Sequence, residues 1–249
     1  MVRNLHIIQT YVEDGVMNTA AKFYDEGMTA EERKNDFLKR RMVLGDRLGF
    51  DGRMMFAADQ VNKDGSYKII DDELIAANPN GWADINEDIL VISKDIPGVA
   101  IGHPVADCPV LVVTDALKGV TAISHCGAVM VDMKLPKFTV DALRSAYDSK
   151  VSDMYAYITA SAGPNWEYDS WPSWALDNKV WKDCITKKEE LYYIDIKKAI
   201  VKQLKEANIA GCTMNNDDTI TDPRYYSNSA SSKGNIKKRG RHFAGAIYK

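Results

Sequence analysis

Four short runs of apolar, largely β-branched residues crowd the middle of this chain: ILVIS at 89–93, GVAIG at 98–102, PVLVVT at 109–114 and GVTAIS at 119–124. Gly, Pro and Asp stand around them, and uninterrupted runs this short suit strands buried on both faces better than helices. MYAYITA at 154–160 alternates instead, the pattern of a half-buried strand. Helical spacing flanks this strand-rich centre. TAEE at 29–32 is a capping box, in which the Thr29 hydroxyl accepts from the Glu32 amide and the Glu32 carboxylate reaches back. It opens a segment carrying Phe37, Leu38, Met42, Leu44 and Leu48, which Gly49 is placed to end. A second helix is expected near FTVDALRSAYDSK (138–150). A third should start at Asp195, with Ile196, Ala199, Ile200, Leu204 and Ala207 along one face. Strands in the middle and helices around them predict an α/β or α+β fold, read as a single domain over 1–249.

Composition narrows the class. The 249 residues carry a formal net charge of −3, which gives no global reason to bind nucleic acid. No apolar run suggests a signal peptide or a membrane span, and the four cysteines (108, 126, 184, 212) show neither CxxC spacing nor a disulfide framework. Reduced thiols and a cytoplasmic location are the expectation. The run KGNIKKRGRHFAGAIYK carries Lys233, Lys237, Lys238, Arg239 and Arg241 without an acid. It reads as a solvated basic loop before a last strand, or as a contact for an anionic ligand.

The candidate chemistry lies in GHPVADCPVLVVTDALKGVTAISHCG (102–127). A thiol at Cys108 beside an imidazole at His125 can lose its proton and act as a nucleophile, or both can bind a borderline metal such as zinc. Spacing alone leaves both open, together with a buried thiol and a loop imidazole that never meet. Cys126 follows His125 directly, and on a strand one of the two should face away. His103 before Pro104 reads as a turn residue. NNDDTITDPR (215–224) reads as an Asx-rich turn, and WEYDSWPSWALDNKVW (166–181) as an aromatic loop packing on itself or stacking a purine.

ADCPVLVVTD followed by GVTAISHCG resembles the ADC-x-P and AHAG segments of the laccase-domain family. The likeness runs in order from about residue 30 to the end, through ERKNDFLKRRMVLGDRLGF, DQVN, ADINEDILVISKDIPGVAIG, GPNWEY, LYYIDIKKAIVKQLKEANI and DPRYYSNSASSKGNIKKRGRHFAGAIYK. Members carry the names of polyphenol or multicopper oxidases and are also described as purine nucleoside phosphorylases. The resemblance implies mixed sheets flanked by helices in α/β/β/α layers. It implies a pocket that admits a purine nucleoside and phosphate, for phosphorolysis or adenosine deamination, with zinc held by Cys108, His125 and the residue at 62. That residue is Asn62, where the family has histidine. Gln60, Asn62, Asp107 and Arg241 fall where substrate contacts are expected, and Asp59, Asp107 or His103 could complete the metal site. Arg239, Arg241 or His242 could supply the anion contact, since Ala128, Val129, Asn228 and Ser229 replace family Trp and Arg positions. Two other readings remain: a metal-independent Cys–His hydrolase or deamidase, and a non-catalytic nucleoside- or protein-binding member. A multicopper oxidase is a poor fit, because His6, His103, His125 and His242 are the whole histidine supply.

Overall fold

The computed structural model describes residues 4–18, 20, 27–58, 63–82, 85–164 and 166–249. Two sheets form its centre. One has four strands in the order β1 (Leu5–Gln9), β13 (His242–Tyr248), β5 (Ala100–Val105) and β2 (Met55–Ala57). The other has six, in the order β12 (Gly211–Met214), β8 (Met154–Ile158), β6 (Val110–Asp115), β7 (Val120–His125), β4 (Ile89–Ser93) and β3 (Tyr67–Ile69). Both are mixed: β2 runs parallel to β5, β12 to β8 and β3 to β4, and the remaining pairs are antiparallel. A small third sheet joins β10 (Ile185–Lys188), β11 (Leu191–Ile194) and β9 (Trp166–Tyr168).

The hydrophobic residues sort into layers. Phe56, Leu90, Ile101, Val105, Val110, Val112, Ile123, Ala244 and Ala246 fill the space between the two large sheets. Helix α1 (Ala30–Leu48) covers the outer face of the four-stranded sheet through Phe37 and Leu44 on Met55, Ala100 and Phe243. The outer face of the six-stranded sheet carries α3 (Ala128–Asp132), α4 (Leu135–Tyr147), α5 (Asn178–Trp181) and α6 (Ile196–Glu206). Two short helices remain: α2 (Asp72–Ala77), whose Leu74 and Ile75 pack against the core between the sheets, and α7 (Asn228–Ser232). The order is therefore helix, sheet, sheet, helices. Strands buried on both faces explain why their sequences show runs rather than alternation.

Local signals placed the helix ends. Thr29 caps α1 with both halves of the box formed, and Gly49 closes it at φ 74°, a left-handed conformation that costs glycine little. Asp195 caps α6, its carboxylate accepting from the Lys198 amide. The second helix begins at Leu135, ahead of the expected 138, because Pro136 fits the first turn, where no amide donor is needed. The aromatic segment packs on itself: the Trp166 and Trp174 rings stack at 5.9 Å, Trp174 meets Trp181 edge-on at 4.9 Å, and the buried Trp181 donates to Asp132. Among the described residues, no helix is long and apolar enough to cross a membrane.

Candidate functional site

Cys108 and His125 are brought together by a hairpin. β6 and β7 pair antiparallel with Val110 opposite His125, so the turn entering β6 and the end of β7 share one edge of the sheet. The side-chain period of two then sets direction. On β7, Ile123 faces the space between the sheets, and His125 lies two residues further on. Cys126 faces the other way, buried among the helices on the outer side. The sulfur of Cys108 lies 3.5 Å, and Nε2 of His125 3.8 Å, from the point a Cβ on Gly127 would occupy. Glycine leaves that shared space free. Its own φ of −61° suits any residue, so space rather than backbone freedom is what glycine provides here.

The turn that carries Cys108 is strapped down. Asp107 sits at φ +75°, unfavourable for a residue with a side chain, although Asp tolerates it better than most. The Thr219 hydroxyl donates to its Oδ1 at 2.8 Å and the Ser229 amide to its Oδ2 at 2.6 Å, while its own carbonyl accepts from the Ala162 amide at 2.7 Å. The sequence suggested a substrate contact for Asp107. Both of its carboxylate oxygens are engaged by the protein, and what it visibly does is position its neighbour. The Asx-rich segment at 215–224 forms the expected turn, with Asp217 and Asp222 held by Arg224 and Asp218 by the Gly163 and Ile220 amides. No role for it as a cation site is needed.

Charge at the site is sparse. Burial pushes the Cys108 thiol up to about 12, with Asp107 adding to the rise and Arg241 opposing it. Burial and then the Arg241 charge lower His125 to about 4. A neutral thiol therefore faces a neutral imidazole. Each touches solvent at one edge, since Cys108, His125 and Arg241 are all half-buried. Of the basic run, Arg241 is the residue whose charge acts on both site groups. Lys238 is buried, donating to the Thr219 and Asp222 carbonyls, and Lys233 pairs with Glu167. Arg239 is exposed. His242 lies wholly buried with its ring 5.6 Å from that of Tyr225, and burial lowers it to about 3, so it cannot serve as the cation the sequence suggested.

Two further residues stand near this pair. His103 is no turn residue: it lies in β5, 1% exposed, paired with Ala244. It shares the inner face with Ile101 and Val105, and its ring centroid is 5.8 Å from that of His125. The misreading has a cause in Pro104. Pro104 reads as a turn former, yet it stands within β5 opposite Phe243. Tyr168, on β9, has its hydroxyl close enough to Cys108 and Asp107 to feel their charge, which adds to the rise that burial imposes on it. Asp59, Gln60 and Asn62 lie outside the described residues. Ala128 and Val129 open α3, with Val129 exposed, and Asn228 and Ser229 open α7. In kind, thiolate and imidazole suit zinc. Among the described residues, no three His, Cys, Asp or Glu side chains already stand together as a cage for an ion.

The buried histidines predict acid sensitivity. His103 and His242 are held near 3 and His125 near 4, against an ordinary value of 6.5, so the unfolded chain binds protons that the folded chain refuses. Above pH 6.5 neither state is protonated and nothing is lost. Below it, each residue removes roughly 1.4 kcal/mol per pH unit until its folded value is reached. Urea unfolding in the presence of chelator should show that slope between pH 6 and 4, and His242→Phe should reduce it by about one group's share. A flat profile would show that these imidazoles find partners or solvent on folding.

This architecture, a two-sheet sandwich between helix layers, is shared by proteins of known structure. YlmD from Geobacillus stearothermophilus matches with a TM-score of 0.77 and 16% identity, over 99% of this chain and 93% of that one. The hypothetical protein YfiH from Bacillus licheniformis matches at 0.75 and 18%, over 98% and 93%. Protein NMB0706 from Neisseria meningitidis matches at 0.70 and 13%, over 99% and 95%. At these identities the likeness establishes the fold. No curated protein gives a significant sequence match. A model of the family described as multi-copper polyphenol oxidoreductase laccase matches residues 6–249, and the chain belongs to that family.

Proposed function

We propose that this chain cleaves purine nucleosides with phosphate at the Cys108–His125 hollow. One observation carries the reading: the thiol and the imidazole border the same small space beside Gly127, and the Arg241 charge acts on both. Cys108 and His125 would hold zinc, with position 62 the third contact implied by the family resemblance. When bound, zinc supplies a Lewis acid that keeps the thiol ionised and polarises an oxygen beside it.

The remaining work falls to the protein. A guanidinium forks onto two phosphate oxygens, and half-buried Arg241 offers that contact in a medium where its charge is weakly screened. It replaces the arginines missing at Val129 and at Asn228–Ser229. Asp107 holds the turn so that Cys108 reaches the hollow. Tyr168, braced by the Trp166 and Trp174 rings at 5.4 and 5.9 Å, offers a hydroxyl to sugar or base. Gln60 and Asn62 remain our candidates for further substrate contacts.

The electrostatics weigh against a metal-free thiol nucleophile. Such a mechanism needs His125 to take the Cys108 proton, yet burial raises the thiol and lowers the imidazole, so the uncharged pair is favoured. Copper oxidation of phenols is not our reading either. Of the four histidines, His6 is exposed on β1, away from the hollow.

The test is to incubate the purified protein with inosine and with adenosine, with and without phosphate. We expect free base and ribose 1-phosphate, and only when phosphate is present. Inosine formed from adenosine without phosphate would reassign the site to deamination. Saturable nucleoside binding without product in any arm would overturn catalysis altogether.

A further inference from the structure

Gln203, on α6, is 4% exposed, and only one end of its amide is satisfied. Nε2 lies 2.7 Å from the carbonyl oxygen of Val131, and a carbonyl only accepts, so this end is the donor. That contact fixes the amide and leaves Oε1 as the other end. Oε1 is buried and has no hydrogen-bond partner in the structure. A buried acceptor left in this state costs about 1–3 kcal/mol, which a ligand carrying a donor would recover.

The amide borders a cavity of about 120 Å³ where α4, α5 and α6 meet. Four ammoniums and one carboxylate share that cavity with it: Lys134, Lys137, Lys179, Lys202 and Glu206. Lys134 and Lys179 also line a wider groove of about 490 Å³ beside it. At ~30 Å³ for each water, the cavity has the room of about four, enough for one phosphate group and too little for a nucleoside. Its lysines are not locked in place. Lys134 pairs with Asp177 at 3.1 Å and Lys137 with Asp141 at 3.3 Å, while Asp141 also holds Arg144 at 2.9 Å. Exposed pairs of this kind contribute about 0–1 kcal/mol each, so both ammoniums can turn to an anion at little cost. Lys202 donates to the Lys179 carbonyl and ties α6 to α5 beside the cavity.

We infer that this cavity is a phosphate site, in which the lysines take the negative charge and Gln203 Oε1 accepts from a P–OH group. The chemistry favours phosphate over other small anions. Hydrogen phosphate keeps a hydroxyl at neutral pH. Sulfate, of like shape and charge, carries only acceptors and would set oxygen against the buried Gln203 oxygen. Gln203 Nε2 offers sulfate no relief, because the Val131 carbonyl engages it. The site is separate from the Cys108–His125 hollow: it lies among the helices on the outer face of the six-stranded sheet, whereas His125 belongs to the inner side. It therefore does not depend on the proposed cleavage of nucleosides, where Arg241 offers the phosphate contact.

The experiment follows the Gln203 side-chain amide and the Val180 backbone amide by NMR in the full chain, titrated with inorganic phosphate and, separately, with sodium sulfate at equal ionic strength. Phosphate should move both signals saturably and bind at least about 10-fold more tightly than sulfate. Lys137→Gln combined with Lys179→Gln, both at exposed positions, should weaken phosphate by at least about 10-fold and leave the fold unchanged. Gln203→Met, followed through Val180, should bring phosphate down to the affinity of sulfate. Should Gln203→Met fail to fold, the wild-type contrast between the two anions and the lysine variant decide. Arg241→Gln removes the phosphate contact proposed for the hollow and should leave the Gln203 titration as it is in wild type. A Gln203 signal that neither anion moves would overturn the site. Equal affinities for phosphate and sulfate would also overturn it, as the mark of an unselective basic surface. Loss of the titration in Arg241→Gln would assign the effect to phosphate in the hollow, which refutes this site and leaves the proposed reading of the hollow intact.

Discussion

Cys108→Ala and His125→Ala are each expected to lower phosphate-dependent cleavage of purine nucleosides by at least about 10³-fold while the protein stays folded. The two side chains border one space, and neither can do the proposed work alone. Removing the sulfur takes away the anionic donor to a zinc ion, and removing the imidazole leaves a thiol that burial keeps protonated. Because they act as a unit, the double variant should be no worse than the more damaged single one. Both residues touch solvent, so their truncation opens little cavity and unfolding curves should move by about 1 kcal/mol or less. Steady-state release of free base, with urea unfolding run in parallel, measures both quantities. Retention of more than a tenth of wild-type activity in either single variant would remove the pair from the chemistry.

Asp107→Ala should cost roughly 3 kcal/mol of stability, a large effect for a residue that touches no apolar core. Its carboxylate accepts from the Thr219 hydroxyl and the Ser229 amide, and bonds to a charged acceptor contribute ~1.5–3 kcal/mol each. Alanine is also less at ease than aspartate at φ +75°, by ~1 kcal/mol. Asp107→Gly relieves the backbone but not the lost bonds, so it should recover about 1 kcal/mol of the loss. Thr219→Val removes one bond and should fall between wild type and Asp107→Ala. Nucleoside cleavage should drop in Asp107→Ala even at temperatures where it is folded, because Cys108 then loses its fixed approach. A loss below about 1 kcal/mol would mean that the turn is held by its backbone contacts alone.

What could be read in advance was local. The capping box at Thr29, the glycine stop at Gly49 and the Asp195 cap each depend on residues within a few positions of one another, and each stands where expected. The apolar runs gave four central strands because burial on both faces leaves no room for polar alternation. The site itself is non-local. That Cys108 meets His125 follows from the pairing of Val110 with His125, and loops before and after a hairpin fall at the same edge, a consequence of topology that no spacing displays. His103 was read as a turn residue because of its neighbour: Pro104 reads as a turn former, yet it stands within β5 opposite Phe243. The small sheet of β9, β10 and β11 was not foreseen, since its strands are only three or four residues long; in it Tyr168 pairs with Tyr192. Arg241 was recoverable from the resemblance, as the arginine of the GR pair, but its influence on both site groups needed the fold.

The most direct test is X-ray absorption at the zinc edge of the zinc-loaded protein. A shell with one sulfur at ~2.3 Å and nitrogens at ~2.0–2.1 Å is expected, with the sulfur contribution absent in Cys108→Ala. A shell of nitrogen and oxygen alone, or a sulfur signal that survives in Cys108→Ala, would contradict the convergence of Cys108 and His125 on one ion.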